Sequence, residues 1–356
     1  MNPPPQRINA AVIGATGYVG GELLRLVAAH PNFQLSAAVS ESRGGERIDS
    51  VFPHLAGVYA ATKFAEPRSW TDRLDKGEKL ALFSAAPHGA SAPLVADALK
   101  GAAARDLDVH VVDCSADFRY PDAERYQQVY GCPHPAPALL RDFFCALPEH
   151  AASVETKHVG HPGCFATAIL LAAVPLVTAG LTTGQLFVTG ITGSTGAGRG
   201  LTPGTHHPER HANLYAYKPL MHRHAPEIER LIEVACGERI AVNFVPHSGP
   251  FARGIYASLQ AVLRPDTPAA AIGEAFRNYY AEAPFVRIVD GAPKLKDVIG
   301  ANYCHIGAAS AKDSVVVMSA IDNLLKGAAG GAMQWMNRLW SLPETTGLLA
   351  PSPAWM

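Results

Sequence analysis

Six cysteines fall at positions 114, 132, 145, 164, 236 and 304, with no C-x-x-C pair among them. Cys164 has the most informative surroundings, Gly160-His-Pro-Gly-Cys164-Phe-Ala-Thr167, followed by the apolar run Ala168–Val177. Pro162 and Gly163 make a turn, and the apolar run reads as a buried helix. Cys164 then falls at or near the first helical turn, where open N–H groups and the positive end of the dipole favour a thiolate. A thiol of lowered pKa on a rigid turn suits nucleophilic catalysis, although lone cysteines more often serve as small buried packing residues. Downstream, His222 and His224 stand as an H-x-H pair, read either as polar surface or as two imidazoles that face one cleft. If that segment is extended, both rings share one face. The glycine-rich stretch Gly193–Gly200 can form a backbone nest for an anion, with Arg199 adding a forked contact.

A second chemistry lies near the start. Gly14-Ala-Thr16-Gly17-Tyr18-Val19-Gly20 reads G-x-x-G-x-x-G between a strand, Ile8–Ile13, and a helix whose apolar face is Val19, Leu23, Leu26 and Val27. Glycines let the backbone approach a pyrophosphate, and the helix N-terminus supplies free N–H groups. The cofactor type turns on Ser40-Glu41-Ser42-Arg43 at the end of the next strand. Glu41 would suit a ribose 2′-hydroxyl. Arg43 with Ser40 and Ser42 would suit a 2′-phosphate, and this cluster of two hydroxyls and a guanidinium favours NADP over NAD.

These residues need a frame. Strand-like segments at Gln34–Val39, Leu80–Ser84 and Val109–Asp113 alternate with helix-like ones, including Pro93–Lys100, and Pro31 stops the first helix. The rhythm predicts an α/β fold with a doubly wound parallel sheet of the Rossmann type. The second half differs. Gln185–Thr192, Arg239–Val245, Gly254–Leu263 and Ser314–Ile321 read as longer strands, with helices near Pro226–Cys236 and Thr267–Glu282. They predict an α+β catalytic domain with a mixed sheet and helices on one face. The last helix is expected over Lys326–Trp340. Residues 1–158 with 322–356 are expected to form the dinucleotide domain, and 159–321 the catalytic and oligomerisation domain.

The chain has 356 residues, a net charge of −1, 48% hydrophobic and 17% charged residues. That is globular, with no bulk attraction for nucleic acid or an anionic membrane. The longest apolar run is too short to span a bilayer and contains Pro175. The proline-rich start, Met1 to Arg7, lacks the apolar stretch of a signal peptide. A cytoplasmic protein with free thiols is expected.

The Pro-Gly-Cys-Phe-Ala-Thr run resembles the active-site motif of the N-acetyl-gamma-glutamyl-phosphate reductases, relatives of aspartate-semialdehyde dehydrogenase. The resemblance runs nearly the full chain: Gly14–Gly20, Val112-Asp-Cys-Ser-Ala-Asp-Phe-Arg119, Tyr130-Gly131 with His134, Leu147-Pro-Glu149, Thr195-Gly-Ala-Gly-Arg199, His222–Ile228 and Asp322-Asn-Leu-Leu-Lys-Gly327. It implies NADPH-dependent reduction of N-acetyl-gamma-glutamyl phosphate to the semialdehyde and phosphate, in arginine biosynthesis, by a homo-tetramer or homo-dimer. It also implies roles. Cys164 would be the nucleophile, His222 or His224 the acid/base, and Glu227 the residue that orients one of them. Arg119, Gly196, Gly198 and Arg199 would bind substrate. Pro87, Asn323 and Gly327 would line the cofactor site beside the glycine loop. Hydride does not readily reduce a carboxylate but does reduce a thioester, which gives the cysteine its purpose.

The chain departs from the family pattern at His161, where Asn is usual, at Phe165-Ala166, where Tyr-Pro is commoner, and at Thr195, where Ser is usual. N-succinylglutamyl, aminoadipyl or aspartyl phosphate are the alternative substrates. Two rival classes are a non-catalytic nucleotide-binding sensor and a metal-dependent hydrolase using the His206, His207 and His211 cluster or the H-x-H pair His222 and His224. The absence of H-E-x-x-H or paired Cys-His sets speaks against the second, and no metal is expected.

Overall fold

The computed structural model describes residues 7–68 and 70–354; residues 1–6 of the proline-rich start, and the last two residues, lie outside the described residues. The chain divides into two compact units. The first runs to Cys145 and adds Ser153–His161 and Ala329–Leu348; the second comprises Ala146–Ala152, Pro162–Ala328 and Leu349–Met356.

The first unit is built on six strands: β1 (Ile8–Ile13), β2 (Phe33–Val39), β3 (Lys79–Ser84), β4 (Asp108–Asp113), β5 (Phe143–Phe144) and β6 (His158–Gly160). They form one sheet in the order β2-β1-β3-β4-β6-β5, with every pairing parallel. Its helices include α1 (Tyr18–Ala29), α2 (Ile48–Val51), α3 (Ala56–Tyr59), α4 (Ser91–Ala104) and α5 (Ala123–Tyr130), with the late helix Gly330–Leu339 added from the end of the chain. Ala10, Ala11, Val12, Leu80, Ala81, Leu82 and Phe83 are all fully buried. Such unbroken apolar runs are what a parallel sheet covered on both faces requires. Helix α1 ends at Ala29, just before Pro31.

The second unit holds β7 (Gln185–Thr192), β8 (Tyr215–Ala216), β9 (Ala241–Ser248), β10 (Ile255–Val262), β11 (Val286–Ile288), β12 (Cys304–Ala311) and β13 (Ser314–Ile321). The order is β11-β12-β13-β10-β7-β9-β8, with parallel and antiparallel pairs mixed. Helices α6 (Cys164–Thr178), α8 (His224–Cys236) and α9 (Ala269–Tyr279) accompany it, with the short α7 (His207–Arg210) in a loop. Burial along β7 alternates strictly for six residues, from exposed Gln185 to buried Gly190. One face packs against α6, and the other carries exposed Phe187 and Val262.

Two expectations need adjusting. The segment read as one helix over Lys326–Trp340 is a single π-turn, Leu325–Ala329, and then α10 (Gly330–Leu339). Its i→i+5 bond, Gly327 N–H to the Asp322 carbonyl at 3.0 Å, marks the change of pitch. Strand β12 went unread because Cys-His-Ile-Gly-Ala-Ala-Ser-Ala holds few of the branched or aromatic residues that announce a strand.

Candidate active site

Cys164 is the first residue of α6, and Gly163 is its N-cap in an extended conformation. The first helical bond runs from Thr167 N–H to the Gly163 carbonyl at 2.7 Å, and the Thr167 hydroxyl donates to the same oxygen at 3.1 Å. After Cys164, α6 is buried from Phe165 to Val177, so the apolar helix anchors the half-buried thiol at its start. None of the six cysteines is joined in a disulfide.

Glu227, fully buried in the first turn of α8, accepts the Gly163 N–H at 2.7 Å. This contact is with the Pro162-Gly163 turn that precedes Cys164, a placement that sequence spacing could not show. A buried carboxylate on a backbone N–H is a strong, charge-assisted bond, and it fixes the residue immediately before Cys164.

A cavity of about 470 Å³ lies in the second unit, lined by Cys164, Gly196, Tyr217, Lys218, His222 and His224 among others. That volume suits a small-molecule ligand. The two histidines share it, but through a turn and not as alternate residues of a strand. Arg223 has helical dihedrals, and the Ala225 N–H bonds the His222 carbonyl at 3.0 Å. The imidazole rings lie 4.6 Å apart at 77°, with Phe165 edge-on to both. The His224 backbone N–H donates to His222 Nδ1 at 3.2 Å. A ring nitrogen that accepts carries no proton, so neutral His222 bears its proton on Nε2. Burial, then the charges of Arg223 and Lys218, push its pKa down to about 4. His222 is therefore a neutral imidazole with an Nε2–H donor at neutral pH.

Tyr217, Lys218 and Arg223 line the same cavity and were missed from sequence. Burial raises the Tyr217 hydroxyl's pKa, and the neighbouring Cys164 adds to the effect. The backbone carries a signal after the fact: Lys218 and Leu220, on either side of Pro219, both have positive φ, at 45° and 60°. Non-glycine residues held there cluster at functional sites.

The remaining expected substrate residues divide. Gly196 lines the cavity, Gly198 has φ +85°, and Arg199 is exposed on the same loop. Arg119 belongs to the first unit, where its Nε donates to the His161 carbonyl and Nη2 to that of Cys114, both at 3.1 Å. His161 is buried in that unit. Asn323 accepts the Gly254 N–H at 2.7 Å and donates to the Thr195 hydroxyl at 3.0 Å, which ties the end of β13 to the Gly193–Gly200 loop. The His207 and His211 rings lie 5.1 Å apart, tilted by 35°, and no group of three or more His, Cys, Asp or Glu suited to a metal occurs among the described residues.

In the first unit the glycine loop joins β1 to α1. Gly14 has φ +70°, and a Cβ there would lie 2.5 Å from the Ala86 nitrogen. Only glycine therefore lets the loop close on the segment after β3. At Gly17 a Cβ would meet nothing nearer than the Gly14 carbonyl at 3.6 Å, so that side of the turn is open. No side chain caps α1, which begins at Tyr18-Val19-Gly20. An open turn below an uncapped helix N-terminus fits a pyrophosphate. Asp117 pins the facing loop after Pro87, accepting from His88 Nδ1 at 2.8 Å and from the Gly89 and Ala92 N–H groups at 2.8 and 2.9 Å. Thr16 and Ser40 share a 3.4 Å hydroxyl contact, and Ser40 Oγ accepts the Arg43 N–H at 3.2 Å. Arg43 pairs with Glu46 at the surface, while Glu41, Ser42 and Arg68 line an adjoining cavity.

Comparison with known proteins adds to this geometry. Residues 9–154 match the semialdehyde dehydrogenase NAD binding domain, and residues 164–323 the semialdehyde dehydrogenase dimerisation domain. The N-acetyl-gamma-glutamyl-phosphate reductase of Pelotomaculum thermopropionicum is 38% identical over 97% of this chain and 98% of its own. That of Alkalilimnicola ehrlichii is 40% identical over 97% and 99%. The chain belongs to the N-acetyl-gamma-glutamyl-phosphate reductase family. Aspartate semialdehyde dehydrogenase II of Vibrio cholerae, in complex with ASA, shares the fold of this reductase family member at TM-score 0.67 and 17% identity, covering 94% of this chain and 98% of its own. The Candida albicans aspartate semialdehyde dehydrogenase with NADP does so at 0.66 and 14%, covering 94% and 98%. The family's cysteine, histidine and glycine motifs thus stand on the two domain types that its relatives use.

Proposed function

We propose that this protein reduces N-acetyl-gamma-glutamyl phosphate to N-acetylglutamate semialdehyde and orthophosphate, with NADPH as reductant, in the cytoplasm. One observation carries the reading: Cys164, at the first turn of α6, lines the same cavity as His222 and His224.

The Cys164 thiolate attacks the acyl carbon. The C–O bond to phosphate breaks, and a thioester remains on sulfur. Lys218 and Arg223 give the cavity the positive charge that favours both a thiolate and a phosphoryl group. Neutral His222 donates Nε2–H to the acyl oxygen as negative charge gathers there, much as an oxyanion-hole donor does. NADPH, held at the glycine loop Gly14–Gly20, would supply the hydride that takes the Cys164 thioester to a thiohemiacetal. Its alkoxide then expels the Cys164 thiolate as the C–S bond breaks, and the aldehyde leaves. Overall one hydride and one proton are consumed, the proton departing on orthophosphate. The His222/His224 pair is assigned the proton traffic, a contribution typically worth about 10²–10⁴-fold.

Gly14, Thr16, Gly17, Tyr18, Val19 and Gly20 would hold the pyrophosphate, with Pro87 on the facing loop. Ser40, Ser42 and Arg43, joined by Arg68, would hold the 2′-phosphate. The sheet face that carries Phe187 (48% exposed) and Val262 (52% exposed) is read as the contact with a second copy, giving a homo-dimer or homo-tetramer. Among the described residues no helix is long and apolar enough to cross a membrane.

A substrate panel tests the assignment. N-acetyl, N-succinyl and unsubstituted acyl phosphates are offered with NADPH and with NADH. Preference for the N-acetyl compound with NADPH is expected. Equal or faster turnover of aspartyl phosphate, or a preference for NADH, would overturn it.

A further inference from the structure

We propose that the buried ion pair between Lys326 and Glu149 positions the nucleophile by fixing the π-turn whose Gly327 packs on Cys164. The inference rests on reading Cys164 as the reacting thiol.

Gly327 sits against the cysteine itself. A Cβ built there would lie 2.8 Å from Cys164 Cβ and 3.1 Å from its Cα, so the bare glycine backbone forms one wall of the cysteine's seat. The turn that carries Gly327 is the only π-turn among the described residues, and such turns recur at functional sites. Its neighbour Lys326 is 1% exposed and bonds Glu149, also 1% exposed. The Lys326 ammonium also lies 5.7 Å from the centre of the Phe285 ring.

Glu149 belongs to the short turn Pro148–His150, and that turn reaches the cysteine's helix by a second route. His150 lies 3.0 Å through Nε2 from the Tyr280 hydroxyl, which donates to the Leu171 carbonyl of α6 at 2.8 Å. With that proton committed to Leu171, His150 Nε2–H is the donor to Tyr280. Burial, with Lys326 beside it, pushes the His150 pKa down to about 4, opposed by Glu149, so the imidazole is neutral. One three-residue turn therefore holds both partners of the Cys164–Gly327 contact: α6 through Tyr280, and the π-turn through Lys326.

Stability is a poor explanation for such a pair. A buried ion pair seldom stabilises more than well-packed apolar residues of the same volume, and fixing register is its best-attested use. Here the register is that of a turn one residue wider than an α-turn, in contact with the reacting residue. Lys326 and Glu149 are positioning residues on this account and touch no substrate.

The experiment uses the full-length enzyme. Glu149→Asp keeps the charges and shortens the carboxylate arm by one methylene. Lys326→Met/Glu149→Leu removes both charges. Melting temperature, kcat, KM for the semialdehyde, and the rate of Cys164 alkylation by iodoacetamide are measured for each. Glu149→Asp is expected to stay folded and to lose about tenfold or more in kcat with KM nearly unchanged, since small misplacements of reacting groups act on that scale. Its alkylation rate should differ from wild type by about threefold or more, because reactivity follows thiol environment. Adding Lys326→Arg, a longer cation, should return part of both. Glu149→Asp with wild-type kcat and alkylation rate would overturn the proposal, as would a folded double variant with both unchanged. A double variant that fails to fold leaves Glu149→Asp to decide. Absence of phosphate-dependent turnover in the wild type would instead sink the proposed function, and the alkylation comparison would still report on the seat of Cys164.

Discussion

Replacing Glu227 by alanine should cripple the enzyme without any change to the cavity's lining. The carboxylate is fully buried and accepts the Gly163 N–H at 2.7 Å. Alanine leaves that donor buried and without its carboxylate, at a cost of about 1–3 kcal/mol. For a unit of this size such a loss lowers Tm by several degrees, at about 2–4 °C per kcal/mol. The kinetic effect should be larger. Gly163 is the residue before Cys164, and freeing it lets the sulfur drift, where a displacement near 1 Å can cost about 10²-fold. Glutamine separates the two effects. It retains an acceptor and the shape, so the turn stays in place and only the charge assistance is lost, about 1 kcal/mol. Phosphate-dependent reduction of NADP by the semialdehyde, measured beside thermal melts, gives both numbers. The expected order of kcat is wild type, then Glu227→Gln within a few-fold, then Glu227→Ala far below. A Glu227→Ala enzyme with wild-type kcat would refute the link between this carboxylate and the cysteine's position.

Other perturbations read other parts of the site. Gly14→Ala forces a side chain into a left-handed backbone and against the Ala86 nitrogen, so NADPH affinity by fluorescence titration should fall at least tenfold; unchanged affinity would remove the glycine loop from the cofactor site. Lys218→Met should raise the KM for phosphate in the oxidative direction by about tenfold, the effect of about 1.4 kcal/mol, while leaving that for the semialdehyde; the reverse pattern would move the phosphoryl group elsewhere. Acid should destabilise the fold in a defined window. His150, His158 and His222 are held at pKa values of about 4 against an unfolded value of 6.5, with burial the leading cause at each. The unfolded chain therefore takes up protons that the folded one refuses. Stability should be full above pH 6.5, decline as the pH falls toward 4, and cease falling on their account below that. A melting temperature flat from pH 7 to 4 would contradict it, as would an imidazole NMR titration of His222 centred near 6.5.

The placement of Cys164 was legible because local chemistry decides it: a Pro-Gly turn and a long apolar run define where α6 starts. The first strand, its glycine turn and α1 were legible for the same reason. The partner of Glu227 was not, because Gly163 lies 64 residues earlier and only the packing of α6 against α8 brings them together. Tyr217 and Lys218 escaped notice since their segment carries neither periodicity nor glycine, and its positive φ values are imposed by the surrounding fold. The π-turn was invisible because the apolar run of Leu325–Leu339 reads as one helix despite Gly327, Gly330 and Gly331, and the wider turn is marked only by the bond from Gly327 N–H to the Asp322 carbonyl. Sequence pattern thus locates elements, while buried side-chain contacts between them decide how the reacting groups are aimed.

The most direct measurement is mass spectrometry of the protein after brief exposure to N-acetyl-gamma-glutamyl phosphate with no reductant present. The peptide that carries Cys164 should gain one N-acetylglutamyl group, removable by hydroxylamine and missing from the Cys164→Ser protein. An enzyme that turns over with NADPH yet never shows acylation at that sulfur would contradict the thioester route.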